Sequence, residues 1–554
     1  MNSSLDNASI HHNASTAPIH RLPDELLHAT FHMLVCEVWS TASPQKVLPG
    51  GHLIDIISHV CSRWRQISLA SSTLWTYMIF SGRSSIQQVE ACLSRSKQAP
   101  LCVKYFEEDY AREEVEQYIA KTLLAHAHRL CELHVSGFSD WDFSDFVRRL
   151  LCKPVPLLER LTLEDLPFTG YDRPCVIPGR MSSLRHLVLV GAEQDEAFVN
   201  VNPFHRLDTL VLKTVYIDAT LREIVEALRN CSDLRFLSLV SLTFNEEDSD
   251  EEQQPPDTVQ LKSLVHFSFG TEADSDDCDM VDLLKYISFP STTSVNVTLR
   301  QRDHFQDLGK VSPSLRRIAS AQSQLSLTLS DTDRNTALLT SPDGRLRMEW
   351  QWAGEFFPTV TLCPVALKPS GLRFTSLRSL TIVAHNLTHI GKGRRHSRIW
   401  TSIFWDIPAS VTTLTLDLST SLAEKCITAF GGGRRIKKLC ANIKHLIVLH
   451  ADEMVEKLSA LGHCCRTRKR YGAPLREVEM IMHGDPLKEV EMIMHGPALK
   501  KTLVPAWKSM IEEAVEKVRY TDYDACKHKS ADVNRTLAAI YAEFGLPPCA
   551  YESK

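Results

Sequence analysis

The chain has 554 residues, 44% of them apolar and 23% charged, with a formal net charge of -5. That length exceeds one compact core and suits a small domain joined to an extended one. The slightly acidic balance argues against a nucleic-acid partner, and no apolar run approaches the roughly 20 residues of a membrane-spanning helix.

Residues 1–18 are rich in Ser, Asn and His and lack an apolar core, so they are expected to be a disordered lead-in and not a secretory signal. The expected location is the cytoplasm, the nucleus or both. There are 16 cysteines but no Cys-x-x-Cys pair, and only Cys464 and Cys465 are adjacent. They read as free thiols in a reducing compartment.

The span 19–80 reads as a small helical module. Leu22-Pro23-Asp24-Glu25-Leu26-Leu27 has a helix start, with Pro at the entrance and two acids facing the macrodipole. Leu27, Phe31, Leu34, Val35 and Val38 then recur at helical spacing. After a break containing Pro44 and Pro49-Gly50-Gly51, a second stripe runs through Leu53, Ile56, Ile57, Val60, Trp64 and Ile67. The segment Ser71-Ser72-Thr73-Leu74-Trp75 is expected to turn an indole back onto the helices.

The ordered set Ile19-x-x-Leu22-Pro23-x-Glu25-Leu26-Leu27-x-x-x-Phe31, Val60-Cys61-x-Arg63-Trp64-Arg65-x-Ile67 and Leu74-Trp75 resembles the F-box, and more narrowly the F-box-like domains of basidiomycete fungi. The resemblance implies docking onto a Skp-type adaptor and, through it, a cullin–RING ubiquitin ligase. The matching adaptor-binding positions are Leu22, Pro23, Leu26, Leu27, Phe31, Val60, Cys61, Trp64, Leu74 and Trp75. One departure is the stretch from Cys36 to His52, longer than the usual link and suited by its Pro and Gly to a surface loop.

The span 81–497 carries a recurring apolar-x-x-apolar-x-apolar motif. It appears as Leu130/Leu133/Val135, Leu158/Leu161/Leu163, Leu184/Leu187/Leu189, Leu207/Leu210/Leu212, Leu234/Leu237/Leu239 and Leu264/Phe267/Phe269, in steps of 28, 26, 23, 27 and 30 residues. It returns at Leu377/Leu380/Ile382, Val411/Leu414/Leu416, Ile443/Leu446/Val448 and Leu475/Val478/Met480. This spacing suits leucine-rich repeats, each strand followed by a returning helix. Glu113–Leu124, Asp142–Leu151 and Ile217–Asn230 read as such helices. The expected fold class is α/β: a helical module followed by an irregular solenoid with a curved parallel sheet and outer helices.

If the leucines face inward, alternate residues line the open face of that sheet. They include Arg160, Thr162 and Glu164, then His186, Val188 and Val190, then Thr209, Val211 and Lys213, then Phe236, Ser238 and Val240, and later Thr413, Thr415 and Asp417. His186, Val188, Thr209, Val211, Phe236 and Ser238 are the candidate contacts for a client protein.

About residues 330–376 the repeat is interrupted. Leu346, Met348, Trp350 and Trp352 alternate like a strand after the turn Ser341-Pro342-Asp343-Gly344, with Thr359–Cys363 as the expected hairpin partner. Further on, 474–485 and 486–497 are near copies, identical at ten of twelve positions, of which one is expected to be the last regular strand. The span 498–554 is expected to be a helical cap and tail, with a helix over Ala498–Arg519. The acidic run from Glu246 to Glu252 and the basic clusters at Arg394, Arg434 and Arg466–Arg470 read as solvated loops.

No calcium-loop, phosphate-loop, zinc-protease or serine-hydrolase pattern is present in the sequence. No catalytic residue, metal or cofactor is therefore expected. The function expected from pattern and resemblance together is a substrate receptor of an SCF-type ubiquitin ligase. The alternative is an interaction or scaffold protein whose N-terminal helices only cap the solenoid.

Overall fold

The computed structural model describes residues 18–41, 53–81, 84–106, 113–136, 149–150, 153–166, 175–176, 181–191, 197–200, 206–217, 219–244, 256–271, 278–299, 308–330, 336–351, 372–385, 400–401, 403–404, 407–431, 440–449, 458–482, 511 and 515–522. The fold is mixed α/β, with extensive, mostly parallel sheet and helices. Two compact units divide the chain, residues 1–231 with 244–247 and residues 232–243 with 248–554.

The first unit opens with three helices, α1 (Asp24–Thr41), α2 (Leu53–Val60) and α3 (Ser62–Ala70), and a 3-10 turn at Ser72–Trp75. On α1 the buried residues Leu27, Phe31, Val35 and Trp39 recur every four positions, so one stripe faces the core. The stripe expected to run unbroken from Leu53 to Ile67 is interrupted at Cys61. Its extended backbone and its Sγ, which accepts the Trp64 amide at 3.4 Å, start a new helix there.

The strands of this unit are β1 (Tyr77–Ser81), β2 (Leu101–Phe106), β3 (Leu130–Ser136), β4 (Arg160–Leu166), β5 (Cys175–Val176), β6 (His186–Gly191), β7 (Ala197–Asn200) and β8 (Thr209–Ile217). β1, β2, β3, β4, β6 and β8 pair in that order, all parallel, and β7 pairs with β5 and with the far end of β8. Helices α4 (Ile86–Ser96), α5 (Glu113–Ala125) and α6 (Leu221–Arg229) lie between strands in the chain. α6 begins at a capping box formed by Thr220 and Glu223, so Ile217 ends β8 instead of starting the helix. Of the expected helix at Asp142–Leu151, all but two residues lie outside the described ones.

The repeated leucines do what their spacing implies. Leu130, Leu133, Leu158, Leu161, Leu163, Leu187, Leu210 and Leu212 are all buried, and Leu133, Leu161, Leu187 and Leu210 stand one above another in the parallel register. A strand–helix step cannot bury its apolar side alone, and each neighbour supplies the missing cover.

The second unit contains β9 (Phe236–Phe244), β10 (Val259–Gln260), β11 (His266–Thr271), β12 (Ile287–Ser288), β13 (Ser294–Leu299), β14 (Gln324–Ser330), β15 (Thr336–Thr340), β16 (Leu346–Gln351), β17 (Ser379–Ala384), β18 (Thr413–Leu418), β19 (His445–Val448), β20 (Glu477–Met482) and β21 (Lys517–Asp522). Its described helices are α7 (Cys278–Leu283), α8 (Pro313–Ala321), α9 (Thr420–Gly431) and α10 (Leu458–Arg470). The strand order is β9, β11, β13, β16, β15, β14, β17, β18, β19, β20, β21, and β10 pairs with β12 apart from it.

Among the described strands only β15 runs antiparallel to its neighbours, β14 and β16. The alternating strand at 346–351 therefore exists, but its partner precedes it. The turn at Ser341–Gly344 closes the hairpin, with Gly344 at φ 69° and Ser341 Oγ accepting the Leu346 amide at 2.9 Å. The expected partner 359–363 lies outside the described residues.

At the C-terminal end the first near copy supplies β20, while the second copy lies outside the described residues. Lys517–Asp522 then pairs in parallel with β20, where a helix was expected through Arg519. Alternation of Val518 and Tyr520 with polar residues suits a strand, and Lys517 Nζ reaches Glu477 Oε1 at 3.6 Å on the neighbouring strand.

Candidate protein-interaction surfaces

Two surfaces are built from the residues that sequence reasoning selected, one on the N-terminal helices and one on the sheet. On α1 the adjacent leucines part company: Leu27 is fully buried, whereas Leu26 is 53% exposed. Met33 and Leu34, two turns further along on the outward side, are exposed at 64% and 42%. On α2, Ile56 and Val60 stand one turn apart and are also exposed, while Ile54 and Ile57 point inward.

This concentration is unusual for the molecule. Nine large apolar residues are exposed among the described ones, and seven of them (Ile19, Leu26, Met33, Leu34, Ile56, Val60 and Leu69) belong to this module. Scattered single apolar residues are ordinary, but a local concentration marks an interaction surface.

The remaining selected residues hold this surface in place. Phe31, Leu74 and Trp75 are buried, and Phe31 packs on half-buried Trp64 with ring centroids 4.8 Å apart. The Trp75 indole donates to the Ser68 carbonyl at 2.8 Å, and the Arg95 guanidinium lies 4.2 Å from the Trp75 ring. The Trp64 indole nitrogen is buried and has no hydrogen-bond partner among the described residues. Pro23 is exposed and Leu22 half-buried at the helix entrance, where the Leu26 and Leu27 amides donate to the Pro23 carbonyl at 3.1 Å. Cys61 is half-buried as the α3 cap.

Arg63 lies within the motif but is not one of its adaptor-binding positions. Its guanidinium donates to Asp24 Oδ1 at 2.5 and 2.9 Å and to the Leu22 carbonyl at 2.6 Å, which ties α3 to the start of α1. Met33, Leu34 and Ile56 were likewise not selected as contacts. The signal available for Ile56 was its spacing of four from Val60, which places the two on one side of a helix.

The module is also anchored to the sheet. The Lys104 ammonium donates to the Trp39 carbonyl at 2.6 Å and lies 5.0 Å from the Trp39 ring. Burial pulls the pKa of this ammonium below its usual value, against the opposing fields of Glu132 and Glu164. Tyr77 of β1 meets the rings of His32 and Trp39 edge-on at 5.8 and 5.7 Å.

On the sheet, the expected open face holds only in part. In the first unit Arg160, Thr162 and Glu164 are half-buried, as alternation predicts. Burial alone would raise the Glu164 carboxyl. A hydrogen bond and the charge of His134, with smaller help from Ser136 and Lys104, outweigh it and hold the group below the usual carboxylate range.

Of the candidate client contacts there, His186 and Val211 are half-buried, but Val188 and Thr209 are buried. The reason is local pairing. His186 and Thr209 are register partners, and the His186 Nδ1 to Thr209 Oγ1 distance is 3.0 Å. Desolvation, then the charges of Arg160 and Arg185, lower the His186 pKa to about 4.

In the second unit Phe236 and Ser238 are also buried, so they are not surface contacts. Phe236 stacks on the His266 ring at 4.7 Å, and every residue of β11 is buried on both faces. Alternation in sequence cannot reveal this, because a doubly covered strand keeps the same pattern.

The face is more open from β14 onward. Ser326, Thr381, Thr415, Ile447 and Glu479 form one half-exposed row in register, and Gln324, Ser379, Thr413, His445 and Glu477 form another with a more exposed end at Gln324. His385 with Asp417 at 2.8 Å and His445 with Glu477 at 3.2 Å lie on its rim. This hydroxyl-rich surface suits hydrogen bonding to another chain better than apolar burial.

Among the described residues no group of three or more His, Cys, Asp or Glu is arranged to hold a metal ion. No described helix is long and apolar enough to cross a membrane. No protein-family model matches the chain, and no curated protein matches it.

Proposed function

We propose that this chain is the substrate-recognition subunit of an SCF-type ubiquitin ligase, working in the cytoplasm, the nucleus or both. The N-terminal helices are read as an F-box-like module that binds a Skp-type adaptor and through it a cullin. The sheet is read as an irregular leucine-rich-repeat solenoid that holds a client protein. Such a role needs no catalytic side chain, because the gain comes from holding the client near the conjugating enzyme.

The observation that carries the reading is the outward apolar surface of Leu26, Met33, Leu34, Ile56 and Val60. It stands on helices whose inner stripe is buried and whose motif order resembles the F-box. Burying a large aliphatic side chain contributes roughly 1.5–3 kcal/mol, so five such residues offer an adaptor a substantial contact. The client surface in this reading shifts from Val188, Thr209, Phe236 and Ser238 to the half-exposed rows of β14 and β17–β20.

A second reading is favoured by the contacts of Trp39 and His32 with Tyr77 and of Lys104 with Trp39. In it the helices only cap the first strands of a non-degradative interaction protein. Capture on immobilised Skp-type adaptor separates the two. The receptor reading predicts retention of the wild-type chain and at least tenfold loss in the Leu26→Asp/Val60→Asp variant. Equal, background-level recovery of both refutes it.

A further inference from the structure

We infer that a cavity of the second unit is a binding site for a small anionic ligand with an apolar body, of the aryl phosphate class. The cavity measures about 700 Å³ and is formed where the segments preceding α8, β17 and β18 converge. Ligand sites commonly fall between about 300 and 1,000 Å³. The proposal is independent of the adaptor reading.

Charge gives the cavity its character. Lys310, Arg316 and Arg373 line it, and no carboxylate does so among the described residues. Four other cations of this unit stand beside acids: Lys285 by Asp282, Arg345 by Asp343, Arg347 by Glu349 and Lys517 by Glu477. The exposed Arg373 guanidinium makes no hydrogen bond or ion pair among the described residues.

Arg316 also sits in the first turn of α8, which holds no acid, so its charge opposes the helix dipole. Its position is fixed, since Nε donates to the Gly309 carbonyl at 2.8 Å and Nη2 donates to Gly309 and Lys310 carbonyls. Arg316 therefore contributes field, while Arg373 keeps its donors for a ligand. Three like charges around one hollow raise the local potential for an anion.

The wall is apolar. Leu372, Phe374 and Pro408 line the cavity, with Leu372 and Phe374 themselves buried, and Ser410 Oγ donates to the Phe374 carbonyl at 3.1 Å to join the two strand-entry turns. Inorganic phosphate leaves this wall unused, and a neutral aromatic leaves the cations unused. A ligand carrying both groups uses both.

Titration calorimetry on the full chain tests this with phenyl phosphate, inorganic phosphate and phenol as probes. Phenyl phosphate is expected to bind at least tenfold more tightly than either of the others, and more weakly as salt rises. Arg373→Glu is expected to weaken it at least tenfold with an unchanged circular dichroism spectrum, and Lys310→Glu to do the same. Absence of phenyl phosphate binding at millimolar concentration overturns the inference. So does equal binding of phenyl phosphate and phenol, equal binding of phenyl phosphate and inorganic phosphate, or wild-type affinity in both folded variants.

Discussion

Adjacent leucines on α1 give the sharpest test of how the N-terminal module is built. Leu27 is fully buried beside Phe31 on the inner stripe, while Leu26 is 53% exposed on the outer one. Truncating a fully buried Leu to Ala costs roughly 2–5 kcal/mol, through lost transfer energy and the cavity left behind. The same truncation at an exposed helical site stays within about 0.5 kcal/mol of zero. Even the lower end for Leu27→Ala is a change of about thirtyfold in an unfolding equilibrium. Because the chain has two compact units, a global melt need not report this opening cleanly. Amide hydrogen exchange along α1 reports it directly. Leu27→Ala should speed exchange there by at least tenfold, and Leu26→Ala should leave it near the wild-type rate. Equal acceleration in the two variants refutes the assignment of the two faces.

Three further outcomes follow from packing and charge in the second unit. His266 is buried against Phe236, and desolvation holds its pKa at about 4. An unfolded histidine titrates near 6.5, so between these values the unfolded chain binds more protons. Stability is then complete above pH ~6.5 and lost as pH falls toward 4, by up to roughly 3 kcal/mol for this residue. Melting curves from pH 7 to 4 should show this loss in the wild type and a shallower one in His266→Phe; identical slopes contradict it.

A Cβ on Gly431 would meet Cys464 Cα at 2.9 Å where α9 packs on α10. Gly431→Ala should therefore destabilise this unit by about 1–3 kcal/mol in urea titration. Arg468 is fully buried over the Phe430 ring at 4.2 Å, and its Nε and Nη1 lack hydrogen-bond partners among the described residues. Burying a charge is costly, and no carboxylate pairs with this one among the described residues, so Arg468→Met should leave the melting temperature unchanged or raise it. A drop of several degrees speaks against that reasoning.

The fold was legible wherever one side of an element is buried and the other is not. Leu161, Leu187 and Leu210 fell into register because the motif is a strand signal that recurs after each return of the chain. Phe31, Leu74 and Trp75 are buried within the N-terminal helices and the turn that follows them, but the motif could not say which of its apolar positions face inward. Leu26 and Leu27 look alike in sequence, and only the angular offset of about 100° per residue separates them.

The misses share a physical cause. The break at Cys61 depends on a thiol acting as a helix cap, which composition does not announce. The burial of Val188, Thr209, Phe236 and Ser238 depends on cover from the second side. The strand at Lys517–Asp522 was hidden because its short alternation follows an apparent helical run, and a tertiary edge on β20 decided the outcome.

Hydrogen exchange of the full chain with and without a purified Skp-type adaptor tests the central claim most directly. The account predicts slowed exchange confined to α1, α2 and the turn between α2 and α3, around Leu26, Met33, Ile56 and Val60, and its disappearance in Leu26→Asp/Val60→Asp. Unchanged exchange over residues 22–69 at saturating adaptor contradicts the account.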